Sequence, residues 1–226
     1  MAQNRFEFAD AVGGFDNHIL NTIPGYDTLL NLTVNLSNHW INEDDLPIID
    51  IGGSTGKLLS AVQLNTGINV KDKFYVVDPT EFKDQKTDNQ YISFIKDDAE
   101  NYLKTVTKQV QIFYSVFTLQ FLSKPCREMI LAQVSEKMSD DGAFFVAEKF
   151  YTDDSEYQEL YSVILRDMKR KHFSDKDILD KDKKLLKHLK LRKECDFIEE
   201  MERNNLRPVK YWQSLHFNAY ICGKIT

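Results

Sequence analysis

The sequence predicts an α/β fold in which helices cover both faces of a mainly parallel β-sheet. From Leu46 onward, short apolar runs alternate with stretches whose apolar residues recur at helical spacing, a pattern typical of strands joined by helical crossovers. A glycine-containing loop, residues 50–56, follows one apolar run, and acidic residues lie at the end of that run and of the next two. The length of 226 residues and the hydrophobic content of 42% suit one packed domain, residues 1–226.

The individual elements follow from local patterns. Apolar runs predict strands over residues 46–51, 74–78, 91–95, 110–117 and 142–150. Helical spacing predicts helices over residues 57–65 and 126–138. Within residues 209–223 two extended runs lie too close together for a helix between them, so we expect one to be an antiparallel strand at or near the sheet edge.

Two regions lie outside this core. Residues 1–45 are expected to form a helical N-terminal cap that is interrupted at Pro24–Gly25, and residues 151–206 a charged helical insert. The insert has two interpretations, a solvated helical face or a lid and dimerisation element beside the active site.

Composition limits the classes of function. A net charge of −6 opposes a broad nucleic-acid surface, although residues 186–193 form one basic strip. Cys126, Cys195 and Cys222 lie far apart, which favours free thiols over a disulfide or zinc site. Neither a signal peptide nor a long apolar segment is present. We therefore expect a cytoplasmic protein with no membrane partner and no metal.

The glycine loop fails two phosphate-binding patterns. A triphosphate loop, G-x-x-x-x-G-K-[ST], needs glycine where Ile51 stands and a hydroxyl where Leu58 stands. The dinucleotide pattern G-x-G-x-x-G fails because Ser54 or Thr55 occupies the position of its second glycine. Neither a P-loop nor a dinucleotide site is predicted.

The pattern that remains is D-x-G-x-x-x-G between a strand and a helix. Such a loop lets the backbone approach a nucleoside and its amino-acid tail closely, with amides of the following helix facing the tail carboxylate. Acids at the ends of the next two strands can bind ribose hydroxyls and an adenine amino group. The candidate cofactor residues are Asp50, Gly52, Gly53, Ser54, Gly56, Asp78, Asp97 and Asp98, with Ser115 at the end of the fourth strand.

Several motifs resemble those of a known family. NTIPGYDTLLNL (21–32), DIGGSTG (50–56), FTLQFL (117–122) and AEKF (147–150) are similar to segments of the carboxy-S-adenosyl-methionine synthase-like family of Rossmann-fold, S-adenosylmethionine-dependent methyltransferases. The resemblance implies a Rossmann-like class I fold, a homodimer, and binding of S-adenosylmethionine or its carboxylated form. It also assigns Tyr26 to the sulfonium region, Asp78 to the ribose and Asp97 to the adenine.

Two positions depart from the family pattern. Val116 stands where the family has an asparagine, and an ungapped alignment places Asp182 where the family has an arginine for the extra carboxylate. Because an acid repels a carboxylate, we hypothesise that the protein transfers a methyl group from S-adenosylmethionine to a small-molecule acceptor in a biosynthetic pathway, releasing S-adenosylhomocysteine. If the register of this alignment is shifted by one residue, Lys181, Lys183 or Lys184 could take the place of the family's arginine.

Two other functions stay open: the synthase itself, which uses prephenate, and a non-catalytic subunit that binds S-adenosylmethionine. The acceptor side has few candidate residues. His216, on the last strand pair, is the tentative general base, and the candidate acceptor contacts are His18, Arg166 and Trp212.

Overall fold

The computed structural model describes residues 14–42 and 46–225. Its sheet has the strand order β3-β2-β1-β4-β5-β8-β7, and a short β6 pairs with β5. The strands are β1 Ile48–Ile51, β2 Phe74–Val77, β3 Ile92–Ile95, β4 Val110–Val116, β5 Met138–Tyr151, β6 Arg192–Lys193, β7 Leu206–Ser214 and β8 Phe217–Lys224.

The strand directions confirm the predicted mainly parallel sheet. Strands β1 to β5 pair in parallel, while β8 is antiparallel to β5 on one side and to β7 on the other. The antiparallel strand of the last pair is therefore β8, and it lies one position inside the edge strand β7.

The helices confirm the alternation of elements. They are α1 Phe15–Leu20, α2 Tyr26–Ser37, α3 Lys57–Thr66, α4 Ala99–Thr105, α5 Lys124–Lys137, α6 Ser155–Lys169, α7 Asp175–His188 and α8 Glu194–Arg203. The predicted break at Pro24–Gly25 separates α1 from α2, where Gly25 has a φ of 73°. No pattern in the sequence predicted α4 or the two-residue β6. None of the described helices is long and apolar enough to cross a membrane.

The core has two layers because successive side chains of a strand point to opposite faces of the sheet. Ile48 of β1 packs in the layer that contains Leu29 of α2 and Leu59 of α3. Ile49 packs in the other layer, with helices α5 and α8. Burial of β1 from both sides explains its uninterrupted apolar run.

N-cap residues determine where the helices α6 and α7 of the insert begin. The side chain of Asp154 accepts hydrogen bonds from the amides of Glu156 and Tyr157, and the hydroxyl of Ser174 accepts one from the amide of Asp177. These caps begin α6 and α7 at defined residues, since each satisfies an otherwise unpaired amide of the first turn.

A buried ion cluster joins the end of the insert to the core. Arg192 of β6 donates to Glu148 of β5 at 2.7 Å and pairs with Glu200 of α8. Nε of Arg127 in α5 lies 3.8 Å from Glu200. All four side chains are buried, so each charge depends on its partners for compensation.

Candidate functional site

A cavity of about 580 Å³ opens at the carboxyl ends of the parallel strands. The loop after β1, Asp78 after β2 and Val116 at the end of β4 form its floor. Helix α1 lines one part of its wall, and helices α6 and α7 of the insert line another. Carboxyl ends of parallel strands are where sheets of this class bind ligands.

The glycine loop leaves no room for side chains. A Cβ on Gly52, which has a φ of 72°, would come within 2.2 Å of the Thr118 side chain. A Cβ on Gly53 would come within 2.7 Å of the Asp50 carboxyl group, and one on Gly56 within 2.7 Å of the Phe94 ring. The predicted need for glycine at these positions therefore has a steric cause, and at Gly52 and Gly56 also a conformational one.

Two carboxyl groups lie beside this loop. Asp78 accepts hydrogen bonds from the amide of Ser54 at 3.2 Å and from the amide of Thr80 at 2.8 Å. Asp50 is buried, and burial together with the Asp78 carboxylate raises the pKa of Asp50 to about 7. Both acids line the cavity, so they supply negative charge where the resemblance expects a cationic nucleoside.

The two candidate acids after β3 occupy different places. Asp98 lines the cavity, whereas Asp97 is absent from its wall. The Asp97 carboxylate instead accepts hydrogen bonds from the Asp98 amide and the Asn101 side chain at the start of α4. The structure thus brings Asp98, and not Asp97, to the cavity wall.

Tyr26 lies where the PGY motif predicts, at the first residue of α2 and in the cavity wall. Its ring centroid lies 6.2 Å from that of Phe117. Burial raises the pKa of the Tyr26 hydroxyl, and the charges of Asp50 and Asp16 raise it further. The phenol therefore stays protonated and can donate a hydrogen bond.

Helix α1 brings His18 to the cavity and joins the loop to the insert. Asp16 accepts a hydrogen bond from the Thr55 hydroxyl at 2.7 Å. The His18 ring lies 5.3 Å from the Phe173 ring, which precedes α7, and its Nε2 lies 3.3 Å from the Thr22 hydroxyl. Of the acceptor candidates, His18 and Arg166 line the cavity.

The other predicted residues lie outside the cavity wall. Trp212 is buried in the core beside Gly25. Ser115 is fully buried inside β4. Gly56 lies at the end of the loop and packs against the Phe94 ring.

The tentative base, His216, is buried behind Ser162, whose hydroxyl lies 3.4 Å from its Nε2. Burial, with a contribution from Lys149, lowers the pKa of His216 to about 4. His216 lies in the turn between β7 and β8, and the next residue, Phe217, is the one that lines the cavity.

The sequence analysis missed a cationic part of the cavity. Lys149 of β5 and Lys169 of α6 were not singled out, and they line it together with Arg166, Lys181 and Asp182, which were. The available signal was helical spacing, because Ser162, Leu165, Arg166 and Lys169 recur on one face of α6. No group of three or more metal-ligating side chains occurs among residues 14–42 and 46–225.

Sequence comparison finds curated relatives but no matching protein-family profile. Carboxy-S-adenosyl-L-methionine synthase of Nautilia profundicola is 26% identical over 175 residues, which cover 74% of this chain and 72% of the relative. The enzyme of the same name from Hamiltonella defensa is 27% identical over 221 residues, which cover 93% and 83%.

Structure comparison gives the fold. The crystal structure of human N-acetylserotonin methyltransferase in complex with SAM matches with a TM-score of 0.55 and 14% identity, over 88% of this chain and 53% of that one. The chain spans about half the length of the solved methyltransferases that it matches. The resemblance inferred from the motifs is therefore confirmed: the chain is similar in sequence to carboxy-S-adenosyl-L-methionine synthases and has the Rossmann-like fold of class I S-adenosylmethionine methyltransferases.

Proposed function

We propose that this protein is an S-adenosylmethionine-dependent enzyme that methylates a small-molecule acceptor. The observation that carries the proposal is the glycine loop, in which a Cβ on Gly52 or Gly53 would overlap neighbouring side chains beside the carboxylates of Asp50 and Asp78. The glycines let Thr118 and Asp50 pack against the loop backbone at the cavity, and the two acids suit a ligand that carries ribose hydroxyls and positive charge.

The residues present fit the cofactor, and each has a defined task. Asp78 would bind the ribose, Asp98 the adenine side, and the loop amides the methionine tail. When bound, S-adenosylmethionine supplies a methyl group activated by its sulfonium. Tyr26 and Phe117 would cover the reacting side with aromatic rings, which attract a cation and exclude water.

The proposed catalysis is mainly alignment of acceptor and donor, an effect that is worth several kcal/mol when the geometry is fixed. Helix α1 and the insert enclose the acceptor side, with His18 and Arg166 in its wall. No general base is assigned to His216, because its ring lies behind Ser162.

Methyl transfer can be tested directly with radiolabelled cofactor. We expect purified protein, incubated with S-[methyl-3H]adenosylmethionine and the small-molecule fraction of a bacterial extract, to form one or more labelled small products together with S-adenosylhomocysteine. Label that appears only in RNA or protein when whole extract is supplied, or in no product, would contradict the proposal.

The synthase activity is the second candidate, and one observation favours it. Asp182, which stands at the family's arginine position, is paired with Lys169 and Arg166. Its repulsion of a carboxylate is therefore compensated, and Lys149 and Lys181 add further positive charge to the same cavity. Formation of carboxylated S-adenosylmethionine from S-adenosylmethionine and prephenate would establish this alternative.

The wider organisation also belongs to the proposal. We propose one domain over residues 1–226 with a cap at 1–45 and an insert at 151–206, a homodimer and a cytoplasmic location; residues 1–13, 43–45 and 226 lie outside the described residues. Exposed Tyr157, Leu160 and Val163 on α6 support a dimerisation face. Light scattering coupled to size-exclusion chromatography measures the oligomeric state.

A further inference from the structure

The insert side of the cavity has an excess of positive charge. Four basic side chains and one acid line it: Lys149 from β5, Arg166 and Lys169 from α6, and Lys181 and Asp182 from α7. Three separate elements thus contribute to one wall, and the single carboxylate balances only one of the four cations.

The carboxylate of Asp182 is already paired. Its Oδ1 lies 3.3 Å from Nζ of Lys169, and its Oδ2 lies 3.9 Å from Nε of Arg166. By contrast, Nζ of Lys149 and Nζ of Lys181 make no hydrogen bond or ion pair with any residue of the ranges 14–42 and 46–225.

Both unpaired ammonium groups are held at a cost. Burial lowers the pKa of Lys149 to about 8, with further lowering by Lys169 and Arg166 and a partial offset by Asp182. Burial likewise lowers the pKa of Lys181 to about 8, again offset in part by Asp182. On its other side Lys149 faces the Phe217 ring, at 5.8 Å from the centroid. Both side chains are half-buried, and an ammonium group that is largely removed from water without a partner is unfavourable unless a ligand supplies the opposite charge.

We propose that the methyl acceptor is an anion and that Lys149 and Lys181 bind its carboxylate or phosphate group. This inference rests on the proposed function, because it names the class of acceptor for the same cavity. It reverses the expectation drawn from Asp182 alone, since the acid that would repel an anion is paired with α6 and the two lysines are left for the ligand.

Binding of simple anions tests the proposal without knowledge of the natural acceptor. The probes are succinate, inorganic phosphate and the uncharged succinamide, titrated calorimetrically into the full-length protein at neutral pH, with and without saturating S-adenosylhomocysteine. We expect succinate or phosphate to bind about tenfold or more tightly than succinamide. Equal binding of succinate and succinamide, or no binding of either anion, would overturn the proposal.

Variants locate the site. Lys149→Met and Lys181→Met are each expected to weaken anion binding about tenfold or more, and Lys149→Arg is expected to retain it because the charge remains. Lys183→Met is the matched control, since Lys183 is an exposed lysine of the same helix and does not line the cavity. If Lys149→Met does not fold, Lys149→Gln replaces it. Unchanged anion binding in the neutral variants of both Lys149 and Lys181 would overturn the assignment.

The same titrations separate this proposal from the proposed function. Failure of the wild-type protein to bind S-adenosylhomocysteine would refute the cofactor site. The titrations of succinate and phosphate in the absence of S-adenosylhomocysteine would still decide whether Lys149 and Lys181 bind an anion. If the wild-type protein binds S-adenosylhomocysteine normally but binds succinate and phosphate no better than succinamide, only the proposal of an anionic acceptor is refuted.

Discussion

The carboxylate of Asp78 accepts a hydrogen bond from the backbone amide of Ser54 at 3.2 Å, which joins the acid after β2 to the turn after β1. Ser54 itself has a φ of 48°, in the left-handed region that non-glycine residues rarely adopt. The bond thus holds the strained turn against the Asp78 carboxylate, and both residues line the cavity.

The glycine loop gives a prediction with a matched control. Gly52→Ala is expected to abolish binding of S-adenosylmethionine, because its Cβ would overlap Thr118 in the cavity wall. Gly67→Ala is the control, since Gly67 has a similar φ of 68° but nothing within 4 Å of its Cβ position. Gly67→Ala should lose about 1 kcal/mol of unfolding free energy through backbone strain, and Gly52→Ala should lose more because its Cβ also overlaps the Thr118 side chain. Equal cofactor binding by the two variants, measured calorimetrically, would contradict the steric argument.

The two neighbouring acids give a second prediction. Asp78→Asn is expected to weaken S-adenosylmethionine binding by about tenfold to a hundredfold, because it removes a charged acceptor from the cavity wall. Asp97→Asn should change the affinity much less, since Asp97 does not line the cavity and bonds to the start of α4. A larger effect at Asp97 than at Asp78 would restore the assignment made from the family resemblance.

The raised pKa of Asp50 predicts how stability depends on pH. Because the folded-state pKa of about 7 exceeds the ordinary value of 3.8, the folded protein binds the proton more tightly, and this stabilisation is lost as pH rises toward 7. Between about pH 4 and about pH 7 the contribution of Asp50 to the unfolding free energy should fall by up to about 4 kcal/mol.

Urea unfolding of wild type and Asp50→Asn across this pH range isolates the effect, because other titrating groups are common to both proteins. The difference in unfolding free energy between them should change steadily with pH. A difference independent of pH would show that Asp50 titrates normally.

The buried ion cluster gives a prediction about stability. Arg192→Met removes the shared partner of Glu148 and Glu200 and leaves both carboxylates buried. The expected loss is about 3–5 kcal/mol of unfolding free energy. Arg170→Met, which breaks exposed pairs with Asp167 and Asp175, is the control and should have little effect. Similar denaturation midpoints for the two variants would show that the cluster adds no stability.

The nucleoside half of the site could be predicted from the sequence because its geometry is local. A glycine loop after a strand, and acids at successive strand ends, meet at one edge of any parallel sheet. The sequence could not separate Asp97 from Asp98, because only the start of α4, a short helix that no sequence pattern marked, determines which of them lines the cavity. The order of residues along the chain was sufficient to predict the glycine loop, but not to predict the direction of a side chain at the start of a helix.

The acceptor half could not be predicted because it depends on contacts between distant elements. Lys149 and Lys181 are 32 positions apart in sequence and line the same cavity only when α7 folds over the end of β5. The role of Asp182 was misjudged for the same reason, since its pairing with Lys169 and Arg166 is a tertiary contact. Trp212 was chosen without knowledge of which face of β7 it occupies, and His216 without knowledge that it lies in the turn between β7 and β8.

Mass spectrometry of the nucleoside retained by the protein tests the central claim most directly. Purified protein would be incubated with equal concentrations of S-adenosylmethionine and its carboxylated form, desalted and denatured, and the released nucleosides quantified. The methyltransferase proposal predicts that S-adenosylmethionine is retained in excess. Excess retention of the carboxylated form, or retention of neither, would contradict it.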